Sequence, residues 1–584
     1  MPEYLAPGVY VEEVSFRSKS IEGVSTSTTA FVGPTRKGPV GGAGQIPELI
    51  TSFGDFERIY GGVEDLSFGI NYLAHAVRAY FNEGGSRLYV SRAFLQNGTE
   101  GRASAPVVSG ASDAEQASFV ARFPGDAGNG VITVRQVPAR ATRKTMETAR
   151  QGTLLSVGSG GVAGSTVTYY IKRGANWVDS ANAQLVFTGT GPADTPTGDG
   201  NFVTLNILTS DKDGNQMLYE DLGFDPSHPR YVGNVLSVNP SRRSDFLDNF
   251  FGLAIGAGVS AFELQAGLFP LGEEQREVTL TGGSDGQQPA LGLVTSSGSY
   301  EACFAELEGL EDVSIVAAPG SSAYVDAQAI QGGLIGHAER RRAYRIAVLD
   351  TRPNEGITEA RSLRSEIDST RAALYFPWVI VSNPLARPGV ENIPREIALP
   401  PSGFVCGIYA RNDIERGVFK APANEVVRGA LRFEVDVNFA QQGVLNPLGV
   451  NCLRYLSGRG YRVWGARTAS SDPEWKYVNV RRYFNYLESS IDRGTQWAVF
   501  EPNGERLWAN IRDTVSSFLF SEWKSGALLG GAPEEAFFVR CDRSTMTQND
   551  LDNGRLICLI GVAVVKPAEF VIFRIGQKTA DARS

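Results

Sequence analysis

The sequence predicts a multidomain α/β protein with a β-rich insertion, an α+β C-terminal region and an extended strand at each end. Three observations carry that reading. The chain has 584 residues, more than one ordinary core accommodates, so several domains are expected. Strand-like and helix-like segments alternate between Val313 and Ser382, the pattern of βαβ units and a mostly parallel sheet. The stretch from about 100 to 275 is instead rich in Gly, Ser, Thr and Asn with short alternating strands, which reads as an inserted β domain.

The elements follow in order. Pro7-Gly8 breaks any helix, and Val9 to Phe16 then alternates as a strand with no hairpin partner beside it. Its backbone groups must be satisfied elsewhere, in an edge of its own domain or outside it. Thr28 to Gly33 is a strand, Leu73 to Phe81 a helix stopped by Gly84-Gly85, and Arg87 to Arg92 another strand. Val131 to Arg135, Thr166 to Lys172 and Phe202 to Leu208 are the clearest strands of the insertion. The α/β series then returns: strand Val313 to Ala318, helix Ala327 to Arg342, strand Arg345 to Asp350, helix Thr358 to Arg371, strand Ala373 to Ser382. Helices are expected over Asn479 to Ile491 and Arg506 to Phe520, split by the turn Pro502-Asn503-Gly504. Strands over Arg555 to Lys566 and Glu569 to Ile575 end the chain. Both ends are therefore extended, apolar and alternating.

Composition excludes several classes. The net charge of −9 argues against a nucleic-acid surface. The longest apolar stretches, Phe250 to Phe262 and Leu556 to Val565, fall short of the roughly 20 residues that span a bilayer. Met1 to Gly8 lacks the basic and apolar regions of a signal peptide. The five cysteines, odd in number, scattered and set in apolar runs, fit reduced buried thiols.

Active-site motifs were sought and none is complete. Gly158-Ser-Gly160-Gly-Val-Ala163 has the loose dinucleotide spacing, but the β-branched run after it supplies no helix N-terminus for a pyrophosphate. Asp211-Lys-Asp213-Gly-Asn215 opens like a calcium loop, yet Gln216 stands where glycine is required and Leu222 where a bidentate Glu is required. Gly282-Gly-Ser-Asp285-Gly286 reads as a turn. His75, His228 and His337 have no nucleophile motif beside them, and His337 is expected to be solvated. The run Arg340-Arg341-Arg342 reads as a solvated helix C-terminus or as an inter-subunit ion-pair site. No catalytic residue, metal site or cofactor is expected.

A family resemblance joins these pieces. Pro7-Gly-Val-Tyr-Val-Glu-Glu13, Val24 to Gly33, Ile50 to Phe56, Ala76 to Gly85 and Leu88 to Arg92 resemble the start of phage tail sheath proteins. Gly125 to Val131, Leu280 to Gly286 and Val313 to Gly320 resemble the same family further on, and Tyr375-Phe-Pro-Trp378, Pro400 to Gly403, Gly407 to Arg411 and Arg416 to Asn424 are similar to its central domain. Val480 to Ile491, Phe500 to Asn503 and Leu507-Trp508 are similar to its C-terminal domain. The resemblance extends to the sheaths of contractile injection systems. It spans nearly the whole chain and is weakest over about 135–230.

The resemblance implies a subtilisin-like α/β central domain without catalytic residues, a β-rich inserted domain, an α+β C-terminal domain and extended terminal strand arms. The expected division is an N-terminal arm 1–20, an α/β segment 21–100, an inserted outer domain 101–278, a central domain 279–450, a C-terminal domain 451–565 and a C-terminal arm 566–584. It implies a structural subunit, not an enzyme, in a six-fold helical sheath around an inner tube. Its partners would be copies of itself, the tube protein, and baseplate and terminator or cap proteins, with no nucleic acid and no direct membrane insertion. The particle, a virion tail or a phage-tail-like one, would assemble in the bacterial cytoplasm. Val9, Tyr10, Val11 and Val14, with Phe570, Val571, Ile572 and Phe573, would form strands donated between subunits. Arg481, Arg482, Arg506 and Arg512 are the expected contacts to the inner tube. Two rival readings stand beside it: a degenerate α/β hydrolase, and a surface adhesin built on the insertion.

Overall fold

The computed structural model describes residues 20–42, 46–158, 167–185, 200–270, 272–389 and 391–574. At its centre is a nine-stranded sheet of β1 (Thr29–Gly33), β2 (Glu48–Ile50), β3 (Leu88–Arg92), β4 (Ile315–Ala317), β5 (Ile346–Asp350), β6 (Ala372–Phe376), β7 (Glu425–Val426), β8 (Val450–Leu456) and β9 (Gly460–Val463). The spatial order is β7-β9-β8-β6-β5-β4-β1-β3-β2. The six strands from β3 to β8 across the centre are mutually parallel, and β2, β9 and β7 close the two edges antiparallel.

Parallel strands covered on both faces must be apolar throughout, and β1, β5 and β6 are buried at every residue. Their side chains still alternate in destination. Phe31, Ile346, Val348, Ala373 and Tyr375 enter one core, while Ala30, Val32, Ala347, Leu349, Ala372, Leu374 and Phe376 enter the other. The first core is roofed by α1 (Tyr72–Glu83) and by α3 (Pro401–Arg416); the second lies under α2 (Ala327–Glu339) and its neighbours. Helices α1 and α3 pack closely because α3 offers glycines there. A Cβ at Gly403 would sit 2.7 Å from Ala76, and one at Gly407 would sit 2.6 Å from the Tyr80 carbonyl oxygen.

Several boundaries differ from expectation. The helix predicted to reach Arg371 ends at Ser365, and the chain turns before β6. The strand predicted over Ala373 to Ser382 is two strands, β6 and Val379–Ser382, because Pro377 has no N–H to donate to a ladder. The second of these joins a separate three-stranded sheet. At the C-terminus only Leu559–Val562 forms a strand, and 569–574 adopts no regular structure.

The chain between β3 and β4 carries the β-rich part. A seven-stranded antiparallel sheet centres on Val131–Arg140 and Gly200–Ser210, and a three-stranded one on Ala117–Ala121. They enclose their own core, including Phe119, Ile132, Leu205, Phe224 and Leu264. Around Gly158, Leu154–Gly158 pairs antiparallel with Val167–Arg173, so the glycine run joins a hairpin; residues 159–166 of that run lie outside the described residues.

The C-terminal part is built from α4 (Val478–Gly494), α5 (Glu505–Lys524) and a two-stranded antiparallel sheet of Phe537–Arg540 and Leu559–Val562. Tyr483, Leu487, Trp508, Ile511, Val515 and Leu519 form its core. No helix among the described residues is long and apolar enough to cross a membrane.

Candidate functional site

The first described residues are rooted on α4, and the last on the body and the turn just before α4. On the N-terminal side Ile21 is buried against Gly494. The Val24 amide donates to Ser490 Oγ at 3.1 Å, and Arg482 donates to the Thr26 carbonyl at 3.0 Å. Residues 20–27 therefore run along α4. Val9, Tyr10, Val11 and Val14 lie outside the described residues.

On the C-terminal side the anchor is Glu569. Its carboxylate accepts from Arg467 at 2.8 and 2.6 Å, from Asn446 at 2.8 Å and from the Tyr477 hydroxyl at 3.1 Å. Burial pushes the Glu569 pKa up, but the hydrogen bonds and charge of Arg467 outweigh it and hold the carboxyl below its ordinary range. The next four residues leave the body. Phe570, Val571, Ile572 and Phe573 are between 69% and 82% exposed and pair with no strand among the described residues. Four consecutive bulky apolar residues in water are what a covering partner would remove. The two-stranded sheet is similarly open: its strands pair only with each other, and Phe538, Leu559 and Ile560 are exposed.

The four arginines expected at the tube divide. Arg482 is buried in a bidentate pair with Asp413 at 2.6 and 2.9 Å, its guanidinium over the Tyr409 ring. Arg481 is buried too, donating to Asn485 and Glu488 and stacked on Trp475. Arg482 thus holds α4 against the body, and Arg481 is spent within α4 and on Trp475, so neither presents a charge to another chain. Arg506 is exposed and Arg512 half-exposed on α5. Sequence spacing did not distinguish the pairs, because the burial of α4 comes from the body packed against it.

Doubly wound sheets bind ligands beyond the carboxyl ends of their strands, where the order reverses. Here that point lies between β1 and β4, and the loop after β1 fills it with Arg36 and Lys37. Arg36 meets Asp213 at 2.6 Å, Asp285 at 3.3 Å and Asp126 at 3.6 Å, and Lys37 meets Asp211 at 3.0 Å. Asp211 and Asp213 belong to the calcium-like loop and Asp285 to the glycine-rich one. Their carboxylates are thus spent on cations of the chain itself, clasping the insertion to the body.

The other carboxyl end is sealed as well. Asp350, closing β5, accepts from the Ser402 amide at 2.7 Å and from Ser402 Oγ at 2.6 Å. Both are buried, and desolvation pushes the Asp350 pKa up to about 7 despite the two hydrogen bonds. A serine paired with a carboxyl needs a histidine between them to act as a nucleophile. None stands there. His337 lies in a buried contact with Arg345 at 2.5 Å and beside the Phe304 ring, and burial drives its pKa down to about 3. The expectation that it is solvated is therefore wrong: α2 turns that face into the core. His75 is buried in α1, and His228 accepts from the Arg230 amide in the insertion. Arg342 of the basic run is not a free cation but pairs with Asp492 at 2.7 Å, while Arg341 is exposed. No group of His, Cys, Asp and Glu among the described residues could hold a metal ion.

The phage tail sheath central domain matches residues 295–469, and the phage tail sheath C-terminal domain matches residues 470–578. Residues 295–578 are therefore those of a phage tail sheath protein. Its sheath relatives include a protein of Pseudomonas aeruginosa named as a prophage major tail sheath protein, 27% identical over 49% of this chain and 71% of that one. The tail sheath protein of Enterobacteria phage T4 is 24% identical over 30% of this chain and 26% of its own. In fold, the chain is similar to the helical sheath of the anti-feeding prophage in its contracted state, with TM-score 0.52, 20% identity, and 99% and 100% of the two chains covered. It is also similar to a sheath tail protein from Listeria innocua, with TM-score 0.52, 11% identity, and 94% and 97% covered. These sheath relatives are structural proteins, and the sealed Asp350–Ser402 pair is a packing contact.

Proposed function

We propose that this chain is the repeating subunit of a contractile sheath, polymerised by strands that each subunit donates to its neighbours. The observation carrying this reading is the C-terminal arm: an anchor at half-buried Glu569, then the exposed run Phe570, Val571, Ile572 and Phe573 with no strand partner among the described residues. The open two-stranded sheet of Phe537–Arg540 and Leu559–Val562 is the acceptor on the next subunit. Strand addition there satisfies main-chain groups at both edges, at about 1 kcal/mol net per hydrogen bond. One such link is weak; repeated through a six-fold helical lattice the links act together.

In this reading Val9, Tyr10, Val11 and Val14 form the second donated strand. The subtilisin-like central domain is catalytically silent, and the insertion is the outer domain. Helix α5 faces an inner tube through Arg506 and Arg512, which take over the role expected of Arg481 and Arg482. Contraction is a population shift between two lattices, with the arms kept paired while the bodies re-pack. Baseplate and terminator proteins cap the ends of a virion tail or phage-tail-like particle assembled in the bacterial cytoplasm.

Negative-stain microscopy of the purified protein tests this directly. Striated tubes or hollow cylinders are expected, and a monodisperse monomer at all concentrations would overturn the reading. Deleting residues 1–16 should abolish tubes and leave a folded body; tubes that persist would remove the N-terminal arm from the mechanism.

A further inference from the structure

The register of the two-stranded sheet brings two cysteines face to face. Phe537 opposes Val562 and Arg540 opposes Leu559 without a bulge between. One residue further along the same register, Cys541 stands opposite Cys558, and the two thiols interact directly. The kind of pair follows from hydrogen-bond parity. The Ala563 amide donates to the Ala536 carbonyl directly across from it at 2.8 Å, so that pair is hydrogen-bonded. Hydrogen-bonded and open pairs alternate along an antiparallel ladder. Counting five steps from Ala536–Ala563 makes Cys541–Cys558 an open pair. Open pairs hold their Cα atoms about 4.5 Å apart with side chains close, inside the range that a disulfide spans. Access is asymmetric: Cys541 is buried and Cys558 partly exposed, whereas Cys303, Cys406 and Cys452 are buried elsewhere in the fold.

We propose that Cys541 and Cys558 form an oxidisable dithiol site that closes to a cross-strand disulfide with a small-molecule disulfide, such as oxidised glutathione, as oxidant. The Cys558 thiolate attacks one sulfur of the oxidant, breaking its S–S bond and expelling one thiolate. The Cys541 thiolate then attacks Cys558 Sγ, forming the protein S–S bond and expelling the second. The two protein thiol protons pass through solvent to the two expelled thiolates, two electrons go to the oxidant, and two small thiols leave. Desolvation raises both thiol pKa values, that of Cys558 to about 12; at Cys541 the hydrogen bond with Cys558 opposes it, and Arg512 of α5 opposes it at both. The reaction is therefore slow at neutral pH, and a reducing compartment leaves the site open. Closure fixes the register of the sheet that receives the donated arm, a consequence that rests on the strand-donation reading; the dithiol itself does not.

The test uses the full chain, purified reduced, freed of reductant and exposed to oxidised glutathione. The thiol count in denaturant should fall from the five of the free cysteines to three, with a peptide pair joined through Cys541 and Cys558 in a non-reducing mass map. Cys541→Ser should instead trap a stable glutathione adduct on Cys558, which shows the first step even where closure is blocked. Five thiols after prolonged exposure, or a link to Cys303, Cys406 or Cys452, would overturn the site. Urea dissociation of preformed tubes separates the two ideas. A disulfide that forms without shifting the dissociation midpoint counts against strand donation into this sheet and leaves the dithiol standing.

Discussion

Arg36 places one guanidinium among three carboxylates from three separate loops, and desolvation of that charge is outweighed by Asp213 and its companions. Removing a buried ion's partner costs more than the pair contributes, because the stranded charge stays dry. Arg36→Ala is expected to destabilise the chain by about 3–5 kcal/mol, read as a lower urea midpoint, since Asp285 is fully enclosed. A change below the error of the extrapolation would mean water reaches these carboxylates. Asp350 gives a signed pH effect. Its folded pKa is raised to about 7 from a usual 3.8, so the folded state holds the proton more tightly. The stability this supplies is full below pH 4 and lost as pH rises through 7. Asp350→Asn should therefore show a flatter stability profile than the parent between pH 4 and 7, measured by chemical denaturation at each pH. The sequence displayed Asp211, Asp213 and Asp285 plainly but not their use. Carboxylates in glycine-rich loops look alike whether they await a metal or an arginine 150 or more residues away.

Elements were legible in proportion to their burial. The runs that became β1 and β5 stand out because a strand covered on both faces is apolar at nearly every position. Helix α4 was visible as a period but not as a buried element, so Arg481 and Arg482 read as surface cations. The C-terminal arm is the reverse case, a strand in pattern that pairs with no strand among the described residues. Its anchor has a testable sign. Glu569 is held below its usual 4.5, so the anchoring stability is present above that pH and lost as pH falls through the lower folded value. Glu569→Gln should loosen the arm at neutral pH, with faster limited proteolysis after residue 569 and an intact body. The parent should approach that rate only on acidification. Equal rates at pH 7 would place the anchor elsewhere. The cysteine pair was illegible for a related reason: Cys541 and Cys558 are 17 positions apart in sequence, and only strand register makes them neighbours.

At the scale of the molecule, the mixed α/β organisation and the sheath family were readable from ordered short motifs. Which faces meet was not, because that depends on contacts such as Ile21 on Gly494 or Arg36 on Asp213 that join distant positions. One of these arrangements bears on how such a chain can change over generations. The insertion leaves and rejoins the body along two segments that run side by side, bridged at Leu95–Gln287 and Ser104–Thr281. A module attached through adjacent ends can be exchanged without re-threading its host. Grafting a foreign domain with neighbouring termini in place of residues 105–280 should leave tube formation intact, provided Arg36, Lys37 and Asp285 are neutralised with it, since Asp126, Asp211 and Asp213 leave with the insertion. Loss of tubes in the graft with all three neutralised would show that the host depends on its passenger. Otherwise the insertion is free to diversify while the body that carries it is inherited unchanged.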